Sequence, residues 1–162
     1  MSQPFQAADD PTRAVWHQGA LVQLRVIGAQ TGGRFALTEH LCGRGAAAPL
    51  HRHTMQDELF LVLDGELSIT VDGNRFRARS GSITFAPRGL PHCYHVESDR
   101  CRFLALITPA GFEQWFVDTG LPAGDLSLPP THTSPPDVAA LISAAARYGV
   151  EILGPPPSVA GP

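Results

Sequence analysis

Cysteine is scarce in this chain, with three among 162 residues, and charge is scarce too, at 17% Asp, Glu, Lys and Arg. Cys42, Cys93 and Cys101 are odd in number and show no C-x-x-C spacing. They read as reduced thiols, not as a disulfide frame, and a cytoplasmic protein is expected. A formal net charge of −3 gives no electrostatic reason for a nucleic-acid or anionic-membrane partner. No apolar run approaches the ~20 residues that a membrane span needs. The opening MSQPFQAADDPTRAVW is polar and acidic and lacks the apolar core of a signal peptide. What is there is a chain of 43% hydrophobic residues, long enough to bury the core of one domain.

From Val15 to Ile107 the sequence breaks into short runs rich in β-branched and aromatic residues: 20–27, 34–41, 59–63, 67–71, 75–78, 82–86, 92–97 and 102–107. Thr31-Gly32-Gly33, Asp64-Gly65, Asp72-Gly73-Asn74, Ser80-Gly81 and Pro87-Arg88-Gly89 punctuate them as turns. Many short strands at near-regular spacing predict an all-β sandwich or barrel, and Asp72-Gly73 predicts a hairpin. Arg75, Arg77 and Arg79 alternate as one solvated strand face does. After Ile107 the period changes. Thr108-Pro109 reads as a helix start, and Phe112, Trp115, Phe116 and Thr119 recur at helical spacing up to Gly120. A Pro-rich connector leads to a second helix, opened by Ser134-Pro135-Pro136-Asp137 and closed by Gly149, with an extended segment at 150–153. The chain thus divides into a loose arm (1–13), a β body (14–108) and a helical, Pro-rich tail (109–162) packed on it.

In 57–63, Glu58, Phe60 and Val62 share one strand face while Leu59, Leu61 and Leu63 share the other. A strand apolar on both faces is covered on both sides. The outer face therefore needs the N-terminal strand, the tail or a second copy, and a homodimer is expected.

The stretch from Gly45 to Gly65 reads G-x5-H-x-H-x4-E-x6-G, through His51, His53 and Glu58. Two histidines two apart on a strand project from one face, so both imidazoles reach the same point. Glu58 follows a short bend and can bring a carboxylate there. Further on, Gly81-x5-Pro87-x-Gly89-x2-His92 returns a third imidazole. Three neutral imidazoles and a carboxylate suit one divalent transition metal, and Fe, Mn, Ni, Co, Zn and Cu all fit. Phe60 and Val62 share the Glu58 face, and Tyr94 and Val96 share that of His92, so these four are expected to line a substrate pocket. His95 and Cys93 alternate away from it. His40 alternates with Glu39, and alternation does not say which of them faces inward. His17, in the N-terminal segment, and His132, in the connector, read as structural or surface residues.

Those two stretches resemble the two signature motifs of the cupin superfamily, apart from Val96, which stands where the family pattern often has Asn. The resemblance implies a single cupin barrel (a double-stranded β-helix, or jelly roll) holding a metal on His51, His53, Glu58 and His92. Gln56-Asp57-Glu58-Leu59-Phe60-Leu61-Val62-Leu63-Asp64-Gly65-Glu66-Leu67 is similar to the quercetin 2,3-dioxygenase-like group. So, more loosely, are Thr108-Pro109-Ala110-Gly111-Phe112-Glu113 and the run from Tyr148 to Pro155. That similarity implies a dioxygenase acting with dioxygen on an enolic or phenolic, flavonol-like small molecule, with Glu58 as ligand and base. A non-redox isomerase, cyclase or decarboxylase of a dicarbonyl or enediol compound would use the same residues, as would a cupin that only binds its ligand.

Overall fold

Side chains that alternate between interior and exterior build two antiparallel sheets. The computed structural model describes residues 3–130 and 137–155. In chain order the strands are β1 (Ala14–His17), β2 (Ala20–Val26), β3 (Ala36–Gly43), β4 (Leu50–His53), β5 (Asp57–Asp64) and β6 (Glu66–Val71), then β7 (Asn74–Arg79), β8 (Ile83–Ala86), β9 (His92–Val96), β10 (Arg100–Thr108), β11 (Leu121–Pro122) and β12 (Val150–Gly154). Helices are α1 (Gly28–Thr31), α2 (Glu113–Thr119) and α3 (Val138–Arg147). One sheet runs β11-β1-β2-β3-β10-β5-β8 and the other β12-β4-β9-β6-β7. The core lies between them: Phe60, Val62 and Phe103 from the first sheet pack with Leu67, Ile69 and Val96 from the second. None of the described helices is long and apolar enough to cross a membrane.

Local chemistry accounts for the turns that set this topology. At the β6–β7 hairpin both Asp72 and Gly73 take positive φ, as a type I′ turn demands. Arg77 and Arg79 project from β7 to pair with Glu66, and Arg75 reaches Glu97, which satisfies the basic stripe at the surface. Gly65 is the only residue between β5 and β6, and there the chain leaves one sheet for the other. Its φ is +81°, and a Cβ built on it would lie 2.6 Å from Ser98 Oγ and 2.9 Å from Cys101 Cα. Ser98 Oγ occupies that space usefully, accepting from the Glu66 N–H and donating to the Arg100 carbonyl.

The segment after Thr108 departs from the sequence expectation in two ways. Thr108 is no helix cap: β10 runs through it, its hydroxyl donates to the Arg34 carbonyl at 2.9 Å, and α2 begins only at Glu113. The tail also supplies a strand that was not expected, β11, which pairs with β1, while the extended segment expected at 150–153 is β12, paired with β4. Asp137 does cap α3, accepting from the Ala140 N–H at 3.0 Å. Ser134–Pro136, His132, the first two residues of the N-terminal arm and residues 156–162 lie outside the described residues.

The outer face of the larger sheet is covered at one end only. Trp16, Leu21 and Leu41 pack there against Ala123 and Leu126 of the connector. At the other end Leu59 and Leu61 of β5 stand opposite Phe85 and Ile83 of β8, which are 54% and 63% exposed. No described element is layered over them.

Gly65→Ala is expected to lower stability by about 2–5 kcal/mol, from left-handed strain plus overpacking. Denaturant unfolding measures it; a change within experimental error would mean that the β5–β6 crossover tolerates a Cβ.

Candidate metal centre

The smaller sheet brings three imidazoles together and the larger sheet adds the carboxylate. β4 and β9 are antiparallel with His51 directly opposite His92, ring centroids 4.3 Å apart. His53, two residues on and therefore on the same face, stacks against His92 at 5.5 Å. Leu50 and Arg52 face away, Arg52 pairing with Glu151 of β12 at 2.7 Å. Glu58 comes across from β5, whose buried residues alternate as Glu58, Phe60 and Val62. One ligand atom from each of the four residues can be chosen so that all lie within 4.8 Å of one another, and all four residues are buried.

The turn between β8 and β9 fixes this arrangement. Asp57, on the outward face beside Glu58, accepts from the Arg88 backbone N–H at 2.9 Å and from its guanidinium at 3.0 and 2.7 Å. Those bonds hold the Asp57 carboxyl down at about 2. The neighbouring Gly89 N–H donates to the His53 carbonyl at 2.7 Å. The second motif's turn therefore clamps both the Glu58 strand and the His53 strand.

The protonation pattern leaves lone pairs converging on one point. His51 Nδ1 lies 2.8 Å from the Pro49 carbonyl and His92 Nδ1 3.1 Å from the Leu90 carbonyl. A carbonyl only accepts, so each Nδ1 carries a hydrogen and, in the neutral ring, each Nε2 presents a lone pair. Glu58 Oε2 lies 3.1 Å from His92 Nε2 and 3.4 Å from His53 Nε2. Neither ring nitrogen of His53 has a hydrogen-bond partner among the described residues, although both are buried. Such a donor set is unsatisfied without a proton or a cation at its centre, and its chemistry fits a borderline divalent metal.

The charges follow from this crowding. Burial drives the His51 imidazole down to about 4. Burial would raise the Glu58 carboxyl, but His53 and His92 beside it prevail and hold it well below the usual carboxylate range. Burial would likewise lower His92, and its hydrogen bond to Glu58 prevails and raises it.

A cavity of about 80 Å³ opens beside the ligands, with room for roughly three waters. His51, Glu58, Phe60 and Tyr94 line it. The tail adds to the lining: Phe112, Trp115 and Phe116 of the α2 segment face the cavity, and Phe112 meets His53 edge-on at 4.6 Å. Val62 and Val96, expected in the pocket, point into the same interior but pack in the core outside the cavity lining. Burial raises the Tyr94 hydroxyl well above its usual value, so it stays protonated.

Two cavity histidines were not selected by sequence reasoning. His40 faces inward and stacks on Phe103 at 4.7 Å, while Glu39 turns outward toward Arg25 and Arg102. β3 is buried along most of its length on both faces, so alternation carried no inward signal. His17 on β1 reaches the cavity against Trp115, at 4.4 Å. His95 lies 3.5 Å from Glu97, and Cys93 is a buried free thiol.

The cupin-domain family model matches residues 41–107, from within β3 almost to the end of β10. That segment is a cupin domain. The quercetin 2,3-dioxygenase of Bacillus subtilis is 35% identical over 103 residues, covering 64% of this chain and 31% of that protein. The chain spans between 31% and 51% of the curated relatives that it matches. Among solved structures, KdgF from a Halomonas species aligns with a TM-score of 0.62 at 15% identity, over 69% of this cupin and 99% of that chain. A predicted oxalate decarboxylase from Thermotoga maritima aligns at 0.53 and 18% identity, over 56% and 80%. At these identities the likeness is one of fold. This cupin therefore pairs a jelly-roll body with a His/Glu group that could hold a metal ion.

In the metal-free protein, His17, His40 and His51 are each lowered by burial to about 4, against about 6.5 in an unfolded chain. Between those values the unfolded state holds protons that the folded state lacks, so stability rises with pH across that window. Glu58, depressed when folded, adds a further loss at the acid end. His92 acts oppositely: its raised value contributes stability at low pH that is lost as pH rises through it. The denaturation midpoint should fall steeply from about pH 6.5 toward 4 and decline more gently on the alkaline side. A flat profile across the acid window would contradict burial of these imidazoles in neutral form.

Proposed function

We propose that this cupin is a metal-dependent dioxygenase of a compact enolic or phenolic molecule, acting in the cytoplasm, with His51, His53, Glu58 and His92 holding one divalent transition metal. The observation that carries this reading is an ionised, buried carboxylate set among three imidazoles at the wall of an aromatic-lined cavity. The metal would supply a Lewis acid for the substrate's enol oxygen and a common site for it and dioxygen. Glu58 is placed to take the proton of that enol, since its carboxylate faces the cavity and its charge is held by His53 and His92. Phe60, Phe103 and Phe112 orient a flat ring and keep water away from it. A cavity of about 80 Å³ is small for a three-ring flavonol.

Elemental analysis should find one transition-metal ion per chain. Glu58→Gln, reloaded with metal, should retain the ion and lose about 10²–10⁴-fold in turnover, because an amide oxygen can coordinate but cannot take the proton. Near-normal turnover would leave Glu58 a ligand only. Substrate consumption that is unchanged without oxygen would assign the same residues to isomerisation, cyclisation or decarboxylation; binding without product would assign a ligand-holding role.

The uncovered end of the larger sheet supports a homodimer. Leu59, Leu61, Ile83 and Phe85 form a contiguous apolar face of the kind that a second copy covers. Light scattering at micromolar concentration should give a dimer mass for the native chain and a monomer mass for Ile83→Glu/Phe85→Glu. A native monomer would refute the interface.

A further inference from the structure

The cavity has a second polar pole, set off from the four ligands by aromatic rings. From His92 the rings of Phe60 and Phe103 lead to His40, with centroid separations of 6.2, 6.1 and 4.7 Å. From His53 those of Phe112 and Trp115 lead to His17, at 4.6, 5.3 and 4.4 Å. Both terminal imidazoles line the cavity and neither is a metal ligand.

Their hydrogen bonds leave one nitrogen of each ring free among the described residues. The Thr119 hydroxyl, which donates to the Trp115 carbonyl at 2.7 Å, lies 3.0 Å from His17 Nε2. The Gln18 amide nitrogen lies 3.4 Å from that same Nε2, and no described residue bonds His17 Nδ1. His40 Nε2 is tied to the Thr38 hydroxyl at 2.9 Å, and no described residue bonds its Nδ1. Burial keeps both rings neutral near pH 7. No lysine or arginine lines the cavity.

We propose that His17 and His40 form a recognition site for a hydroxyl group on the substrate, across the ring from the oxygens that face the metal ligands. The substrate class is then a compact, uncharged ring bearing an enolic or phenolic chelating edge and a distal hydroxyl. A distal carboxylate or phosphate is rejected, because the cavity offers it no cation and burying it unpaired is costly. The inference rests on the metal-centred reading above, and the test separates the two.

Three hydroxypyranones serve as probes. They chelate through the same enol and ketone oxygens and differ only in the substituent across the ring: methyl in allomaltol, hydroxymethyl in kojic acid and carboxylate in comenic acid. They are titrated into zinc-loaded protein, which does no oxygen chemistry, and binding is read from the metal-dependent shift of the pyranone absorption band. Kojic acid should bind roughly 3–10-fold more tightly than allomaltol, as one added hydrogen bond allows. Comenic acid should bind at least roughly tenfold more weakly than kojic acid. In His17→Phe/His40→Phe the kojic acid advantage should vanish while allomaltol binds as before, which also shows that the variant is folded. Equal affinity of the native protein for kojic acid and allomaltol, tightest binding of comenic acid, or an advantage that survives the double substitution would overturn the recognition site and leave the metal reading standing. No metal-dependent band shift with any probe would overturn both.

Discussion

Like-minded lone pairs repel, and the interior of this protein gathers several of them around one point. The His51, His53 and His92 rings and the Glu58 carboxylate converge within 4.8 Å in a buried space. Without a cation, the imidazoles and the Glu58 carboxylate relieve one another: His53 and His92 hold Glu58 low, and the hydrogen bond to Glu58 raises His92. The rest of the structure keeps these groups from moving apart. β4 and β9 align the histidines, β5 delivers the carboxylate from the opposite sheet, and the Arg88–Asp57 and Gly89–His53 bonds lock the two approaches together. The fold holds this repulsion in place, and the site's affinity for a positive charge follows from it.

The same rigidity makes the cavity selective. Its walls come from both sheets and from the tail, with aromatic rings joining the ligand group to His17 and His40. Rings stacked edge to face leave little freedom to adapt, so size and polarity at each end decide what enters. A carboxylate at one end and neutral imidazoles at the other give the cavity two chemically different ends.

Much of this was legible from spacing. A period of two puts His51 beside His53 and Glu58 beside Phe60, and the Asp72-Gly73 turn announced its hairpin, because these features depend on neighbours in sequence. What escaped was set by distant partners. Thr108 has the side chain of a helix cap, but its hydroxyl donates to the Arg34 carbonyl in the bend before β3. His40 lies on a strand with both faces covered, so its inward turn has no local mark. Val62 and Val96 share the ligand faces as alternation requires, yet the depth of the cavity stops short of them. The pairing of β12 with β4 joins segments about a hundred residues apart, and nothing in either segment names the other.

That pairing makes the centre depend on a segment far along the chain. β12 occupies the edge of the smaller sheet, so β4, with two of the four ligands, is an interior strand only with residues 150–154 in place. Without β12 the His51–His53 strand would be a bare edge, its outer hydrogen-bonding groups open to water.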